Sequence, residues 1–171
     1  MKTKWQAHWT KHARLLSEMS PCCRRKVGAV IIDQNNNPVS AGFNGTPRGF
    51  EGALCGGDTC QRDTKRVKSG TSTEIGCLHA EANALMQAAR KGISIDGCSL
   101  VVTCPPCLNC AKYIGQSGIA KVVIAIDDLK FTGYSTAGAE YLIETGVEVI
   151  YCLDTSKLGD FVLTDEPLSD K

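Results

Sequence analysis

Residues 78–126 read LHAEANALMQAARKGISIDGCSLVVTCPPCLNCAKYIGQSGIAKVVIAI, and their division decides the fold. The spacing predicts a helix over 78–91, a strand over 100–103, a second helix over 107–117 and a second strand over 122–126. A further helix over 137–144 and a strand over 147–152 continue the alternation. Strands that alternate with helices imply parallel pairing through right-handed crossovers, hence an α/β chain. Upstream, the apolar runs 27–33 and 39–43 flank the polar stretch 34–38 and predict an antiparallel hairpin. Trp5, Trp9, Ala13 and Leu16 stand at helical spacing, so an amphipathic helix over 5–19 opens the chain and ends before Pro21.

Between hairpin and helix, residues 45–76 lose periodicity and carry frequent glycines and interspersed charges, and so long a loop is uncommon unless it is functional or tied down. Residues 155–171 are acidic and are expected to form a mobile tail. No repeat or low-complexity tract is seen, and 171 residues suit a single domain, 1–171. A hydrophobic fraction of 43% without an apolar run near the roughly 20 residues of a membrane span points away from the membrane, and the first twenty residues lack a signal-peptide centre. The expected compartment is the cytoplasm. A net charge of +1 and an aromatic content of 6% argue against a surface that tracks long nucleic acid. Ten cysteines without an export signal point to metal or thiol chemistry rather than to disulfides.

Two clusters concentrate that chemistry. His79-Ala80-Glu81 opens one predicted helix, and Pro106-Cys107-Leu108-Asn109-Cys110 opens the next. Cys107 and Cys110, three apart at a helix start, point their sulfurs the same way, and the positive helix terminus favours their thiolates. With the His79 imidazole they make three N/S ligands, and a zinc held by three protein ligands keeps a fourth position for water. Glu81, two residues from a ligand, is placed to carry that water's proton. Taken singly the features are weaker: a Cys-x-x-Cys pair is equally a redox pair or half of a structural zinc site, and a first-turn Glu is ordinary. Their order, with a strand between that brings the two helix starts together, argues for a hydrolytic zinc site.

The sequence at this point resembles the zinc-dependent cytidine and deoxycytidylate deaminases, whose signature is H-x-E followed by P-C-x-x-C. Within that superfamily it looks most like the deoxycytidylate branch, through Cys22-Cys23 before Lys26-Val27-Gly28-Ala29-Val30, Gly42-Phe43-Asn44-Gly45-Thr46-Pro47-Arg48-Gly49, and Cys77-Leu78-His79-Ala80-Glu81-Ala82-Asn83-Ala84. The resemblance covers about residues 22–151. It implies a three-layer α-β-α fold around a five-stranded mixed sheet. It also implies hydrolysis of dCMP to dUMP and ammonia, with zinc on His79, Cys107 and Cys110, and with Glu81 as the proton shuttle. Asn44 and its loop, with Thr46 and Ala80, would contact substrate, and Tyr134 is a further pocket candidate. The branch is usually oligomeric, often hexameric, activated by dCTP with magnesium and inhibited by dTTP. This chain departs from the pattern in placing Cys104 and Pro105 ahead of Pro106-Cys107, and in the form of its 55–77 segment.

Cys22, Cys23, Cys55, Cys60 and Cys77 lie outside the catalytic set and bracket the long loop. Four thiolates, from Cys22 or Cys23 with Cys55, Cys60 and Cys77, would close a second, structural zinc site, and some phage relatives resemble this in holding a second zinc near the same N-terminal position. Otherwise they are buried or loop thiols, a reading that suits Cys98 and Cys152 better. Arg24, Arg25, Arg48 and Arg90 are candidates for a 5′-phosphate, because a guanidinium fork matches phosphate oxygens. Arg48 follows the Asn44 loop and is preferred, while Arg90, at the far end of its helix, also suits an allosteric or subunit contact. Three other functions compete: a tRNA or single-stranded-DNA base deaminase, a nucleoside cytidine deaminase, and a zinc-stabilised regulatory domain without catalysis. The last has no use for Glu81.

Overall fold

A computed structural model describes residues 1–50, 58–67, 76–126, 135–153 and 162–164. Strands β1 (Gly28–Ile32), β2 (Pro38–Phe43), β3 (Ser99–Val102), β4 (Lys121–Ile126), β5 (Glu148–Leu153) and β6 (Val162–Thr164) form one sheet in the order β2-β1-β3-β4-β5-β6. The first five are the expected mixed sheet. β1 runs antiparallel to both β2 and β3, and β3, β4 and β5 are mutually parallel. Short β6, from the stretch expected to be a mobile tail, adds an antiparallel edge to β5.

The helices are α1 (Thr3–Ser17), α2 (Gln61–Thr64), α3 (Ala80–Arg90), α4 (Leu108–Gln116) and α5 (Ala137–Glu144). Strand alternation sorts the core into two faces. Val30, Ile32, Val101 and Val123 pack with Trp9 and Ala13 of α1. Ala29, Ile31, Leu100, Val102, Val122 and Ile124 pack with Ala84 and Leu85 of α3, Ala111 and Ile114 of α4, and Leu142 of α5. The result is three layers, with α1 the one helix on its face among the described residues. Gly42 lets β2 and α3 approach closely: a Cβ there would stand 2.5 Å from Ala80 O and Ala84 N.

The strand directions place the site. Each of β2 and β3 is antiparallel to β1, so β2 and β3 run the same way and end at the same edge of the sheet. The chain enters β1 at that edge too, through residues 20–27. α3 follows β2 through the long segment, and α4 follows β3 directly, so the N-termini of both helices meet at the carboxyl ends of the parallel strands, where open α/β sheets commonly bind ligands. Two hydrogen bonds pin this edge: Thr103 N–H donates to Gly28 O at 3.1 Å, and Gly28 N–H donates to Thr103 Oγ1 at 3.1 Å.

Candidate metal centre and its cavity

His79 is the N-cap residue of α3 and Cys107 that of α4, both with extended backbone. His79 Nδ1 lies 3.4 Å from Cys107 Sγ and 3.5 Å from Cys110 Sγ. The three ligand atoms lie within 4.8 Å of one another, the one such group of three found among the described residues. A tetrahedron with Zn–N of about 2.0–2.1 Å and Zn–S of about 2.3 Å has an N···S edge of about 3.5 Å. The residues present therefore fit zinc in distance and in donor type.

Electrostatics agree with that donor set. A hydrogen bond from its neighbour Cys110 pulls the Cys107 thiol down to about 4, and the same contact pushes Cys110 up. The contact thus favours the thiolate at Cys107, and a bound cation would draw off the second proton. The contact with Cys107 raises His79. Glu81 is buried, at 2% exposure, and desolvation pushes its carboxyl above the usual carboxylate range, against the opposing pull of His79. A buried carboxyl raised towards neutrality suits a group that must both take and give a proton.

His79, Glu81 and Cys107 line one cavity of about 190 Å³, together with Arg24, Arg25, Asn44, Arg62, Cys104 and Pro105. Asn44 is buried, and its side chain ties down the loop that enters β1: its Oδ1 accepts from Val27 N–H at 2.7 Å and its Nδ2 donates to Arg25 O at 2.9 Å. The sequence assigned Asn44 to substrate. The structure adds that it holds residues 25–27, and with them Arg25, in place.

The other candidates divide. Ala80, Arg24 and Arg25 line the cavity. Thr46 is half-buried and Arg48 exposed, and neither is among the lining residues; the chain turns outward after Gly45, whose backbone pairs with Leu78, so the preferred phosphate arginine stands off the site. Arg90 is exposed at the far end of α3. Cys22, Cys60 and Cys77 line the same cavity, whereas Cys23 is exposed and outside it. Cys22 Sγ accepts from Arg25 N–H at 3.5 Å. Cys55 and Tyr134 lie outside the described residues. Arg62 and Ser135 were not anticipated; no motif marks Arg62, and its place two residues beyond Cys60 was the available signal.

The family described as the cytidine and deoxycytidylate deaminase zinc-binding region matches residues 3–126. The chain belongs to this family. Among curated relatives of this deaminase-family chain, the deoxycytidylate deaminase of Schizosaccharomyces pombe is 36% identical over 71% of this chain and 37% of its own length, and that of Saccharomyces cerevisiae 34% identical over 81% and 44%. The chain thus spans less than half the length of these two fungal proteins. Among solved structures, the dCMP deaminase of cyanophage S-TIM5 in its apo form is 35% identical, with 88% of this chain and 99% of that chain covered and a TM-score of 0.68. The same enzyme in complex with dCMP and dUMP is 34% identical, with 88% and 98% covered and a TM-score of 0.69.

Proposed function

We propose that the protein hydrolyses dCMP to dUMP and ammonia. The observation that carries this reading is the buried Glu81 carboxyl set in one cavity with His79 and Cys107, two of the three residues whose ligand atoms, with that of Cys110, lie within 4.8 Å of one another. A structural zinc site has no need of such an acid. The dCMP and dUMP complex of the similar cyanophage enzyme supports the choice of substrate.

His79 Nδ1 and the sulfurs of Cys107 and Cys110 would hold the zinc. When bound, the metal supplies a Lewis acid that lowers the pKa of a water in its open position. Glu81 would take a proton from the attacking water and deliver it to the ring nitrogen, as the water's oxygen forms its bond to the ring carbon bearing the amine. Glu81 then moves the second proton to the departing amine, the carbon–nitrogen bond breaks, and water plus cytosine have become uracil plus ammonia. Ala80, buried beside the ligands, leaves room for the flat base.

Cys55, Cys60 and Cys77, with Cys22 or Cys23, are further proposed to hold a second, structural zinc; the inward position of Cys22 favours it over exposed Cys23, and binding would draw together sulfurs that do not form a close group among the described residues. Two zinc ions per chain, reduced to one in a Cys60→Ser variant, is the expected metal analysis. One zinc in both would leave these residues as thiols. Exposed Met86, Leu108, Tyr113 and Ile143 on the α3–α5 layer support self-association, with a hexamer as the assembly to look for. No helix of the described residues is long and apolar enough to cross a membrane. The described cysteines are free thiols, which supports a reducing compartment such as the cytoplasm.

The test incubates zinc-loaded protein and a Glu81→Gln control with dCMP, deoxycytidine, dCTP and a short single-stranded oligonucleotide, following uracil products by chromatography. The regulatory ligands implied by the family resemblance, dCTP with magnesium and dTTP, enter as additives. Turnover of dCMP that disappears in the control is expected; turnover of the nucleoside or the oligonucleotide alone would replace this reading with one of its rivals.

A further inference from the structure

Among the described residues, the cavity beside the candidate zinc ligands is lined by more basic than acidic side chains. Its lining includes three guanidinium groups, on Arg24, Arg25 and Arg62, and one carboxyl, on Glu81. Glu81 is engaged with the proton chemistry, and no other acidic residue lines the cavity among the described residues. The arginines come from two segments that meet over the sheet edge. Arg24 and Arg25 precede β1, and Arg62 sits on the single turn of α2 inside the long segment.

Arg62 is held by its surroundings rather than by helix length. Its aliphatic stem lies against the backbone at Gly76: a Cβ added there would stand 3.1 Å from Arg62 Cδ and 3.4 Å from Cγ. Gly76 has φ of 122°, a conformation L side chains rarely adopt, so glycine both permits the turn towards His79 and leaves room for the stem. The next residue of α2, Asp63, forms an ion pair with Arg24, Oδ1 to Nε at 3.3 Å, which joins α2 to the segment entering β1. Cys60, the buried N-cap residue of α2, anchors its other end. Arg24, Arg25 and Arg62 line the same cavity as His79 and Cys107, so the cationic wall stands beside the metal ligands and not on a remote surface.

An uncharged nucleoside gains little from such a wall, and a polynucleotide would need basic residues continuing beyond the cavity. A phosphate monoester, small and carrying most of two charges, matches a planar guanidinium fork. We infer that Arg62, presented by α2 and seated on Gly76, is a specificity-determining residue that recognises the 5′-phosphate of a nucleoside monophosphate, with the Arg24–Asp63 pair positioning α2. The inference rests on the deaminase reading and adds to it the residue that separates nucleotide from nucleoside. It also gives the long segment a purpose: it delivers a cation to a site whose metal ligands and proton carrier all come from elsewhere.

The experiment compares the zinc-loaded wild type with Arg62→Gln and Arg62→Lys, measuring KM and kcat for dCMP and for deoxycytidine, with zinc content and melting temperature as controls. For R62Q, kcat/KM on dCMP is expected to fall on the order of 10- to 100-fold, the range of a lost charged hydrogen bond, mostly through KM, with deoxycytidine turnover unchanged. R62K, which keeps the charge without the fork, falls in between. An equal loss on both substrates would make Arg62 a structural residue and overturn the inference, as would unchanged kinetics on dCMP with the deaminase reading intact. Should R62Q fold poorly, R62K carries the comparison: a KM raised for dCMP alone supports the assignment, and an unmoved KM ends it. A wild type that deaminates no cytosine substrate would remove the deaminase reading and the inference with it.

Discussion

In the proposed mechanism Glu81 and the three ligand residues perform different tasks from neighbouring positions, and substitution separates them. Replacing Glu81 by Gln preserves shape and removes the proton carrier, so turnover should fall by about 10²–10⁴-fold while zinc content, read by atomic emission, stays at the wild-type level. Cys107→Ser, by contrast, removes a ligand whose thiol is already drawn down to about 4, and should lose catalytic zinc and activity together. A Cys107→Ser protein with full zinc would show that the catalytic ligands have been misassigned. These four residues were legible in the sequence because ligation and proton transfer demand particular side chains at short, fixed spacings. Arg62 was not. Phosphate recognition accepts an arginine from any direction, so the segment that supplies it leaves no spacing to read, and the preference for Arg48 followed chain proximity to Asn44 where the fold turned the chain outward.

The β1–β2 hairpin and the α3–β2 contact govern how firmly those residues are held. Asp33 accepts N–H groups of Asn37 and Asn35 at 2.8 and 2.9 Å across the hairpin turn, and the Asn37 bond is the main reason its carboxyl lies below the ordinary 3.8. A carboxyl depressed in the folded state contributes stability above its unfolded value, and that contribution is lost as pH falls through the folded value. The melting temperature of Asp33→Asn should therefore depend less steeply on pH than the wild type's below about pH 4, a difference that thermal melts across pH 2.5–5 would reveal; parallel curves would contradict it. Gly42→Ala forces a methyl against Ala80 O and Ala84 N, so it should cost about 1–3 kcal/mol in urea unfolding and weaken zinc binding, because Ala80 lies between His79 and Glu81. The larger elements were readable to within a residue or two, since period and length agreed in each. α2 and β6 were not, being only four and three residues long, too short for either period to register and dependent on the neighbours they dock against.

The two apolar layers on either side of the sheet draw on no metal ligand except through the first turns of α3 and α4. Chelation should accordingly lower the melting temperature without unfolding the chain: free zinc at 1,000 times its dissociation constant contributes about 4 kcal/mol, and dialysis against a chelator removes that share alone. Circular dichroism of the chelated protein is expected to keep its helical signal at 25 °C, and loss of that signal would mean that metal, not the core, holds the domain. The sheet order carries a consequence for biogenesis. His79 is separated from Cys107 and Cys110 by 28 and 31 positions, so a chain leaving the ribosome exposes its imidazole well before either sulfur, and the triad closes only once β3 has been inserted beside β1. Metal uptake would thereby be a late maturation step that follows closure of the sheet, and a zinc-free fraction in a freshly made preparation is expected to be folded and competent to take up the metal afterwards.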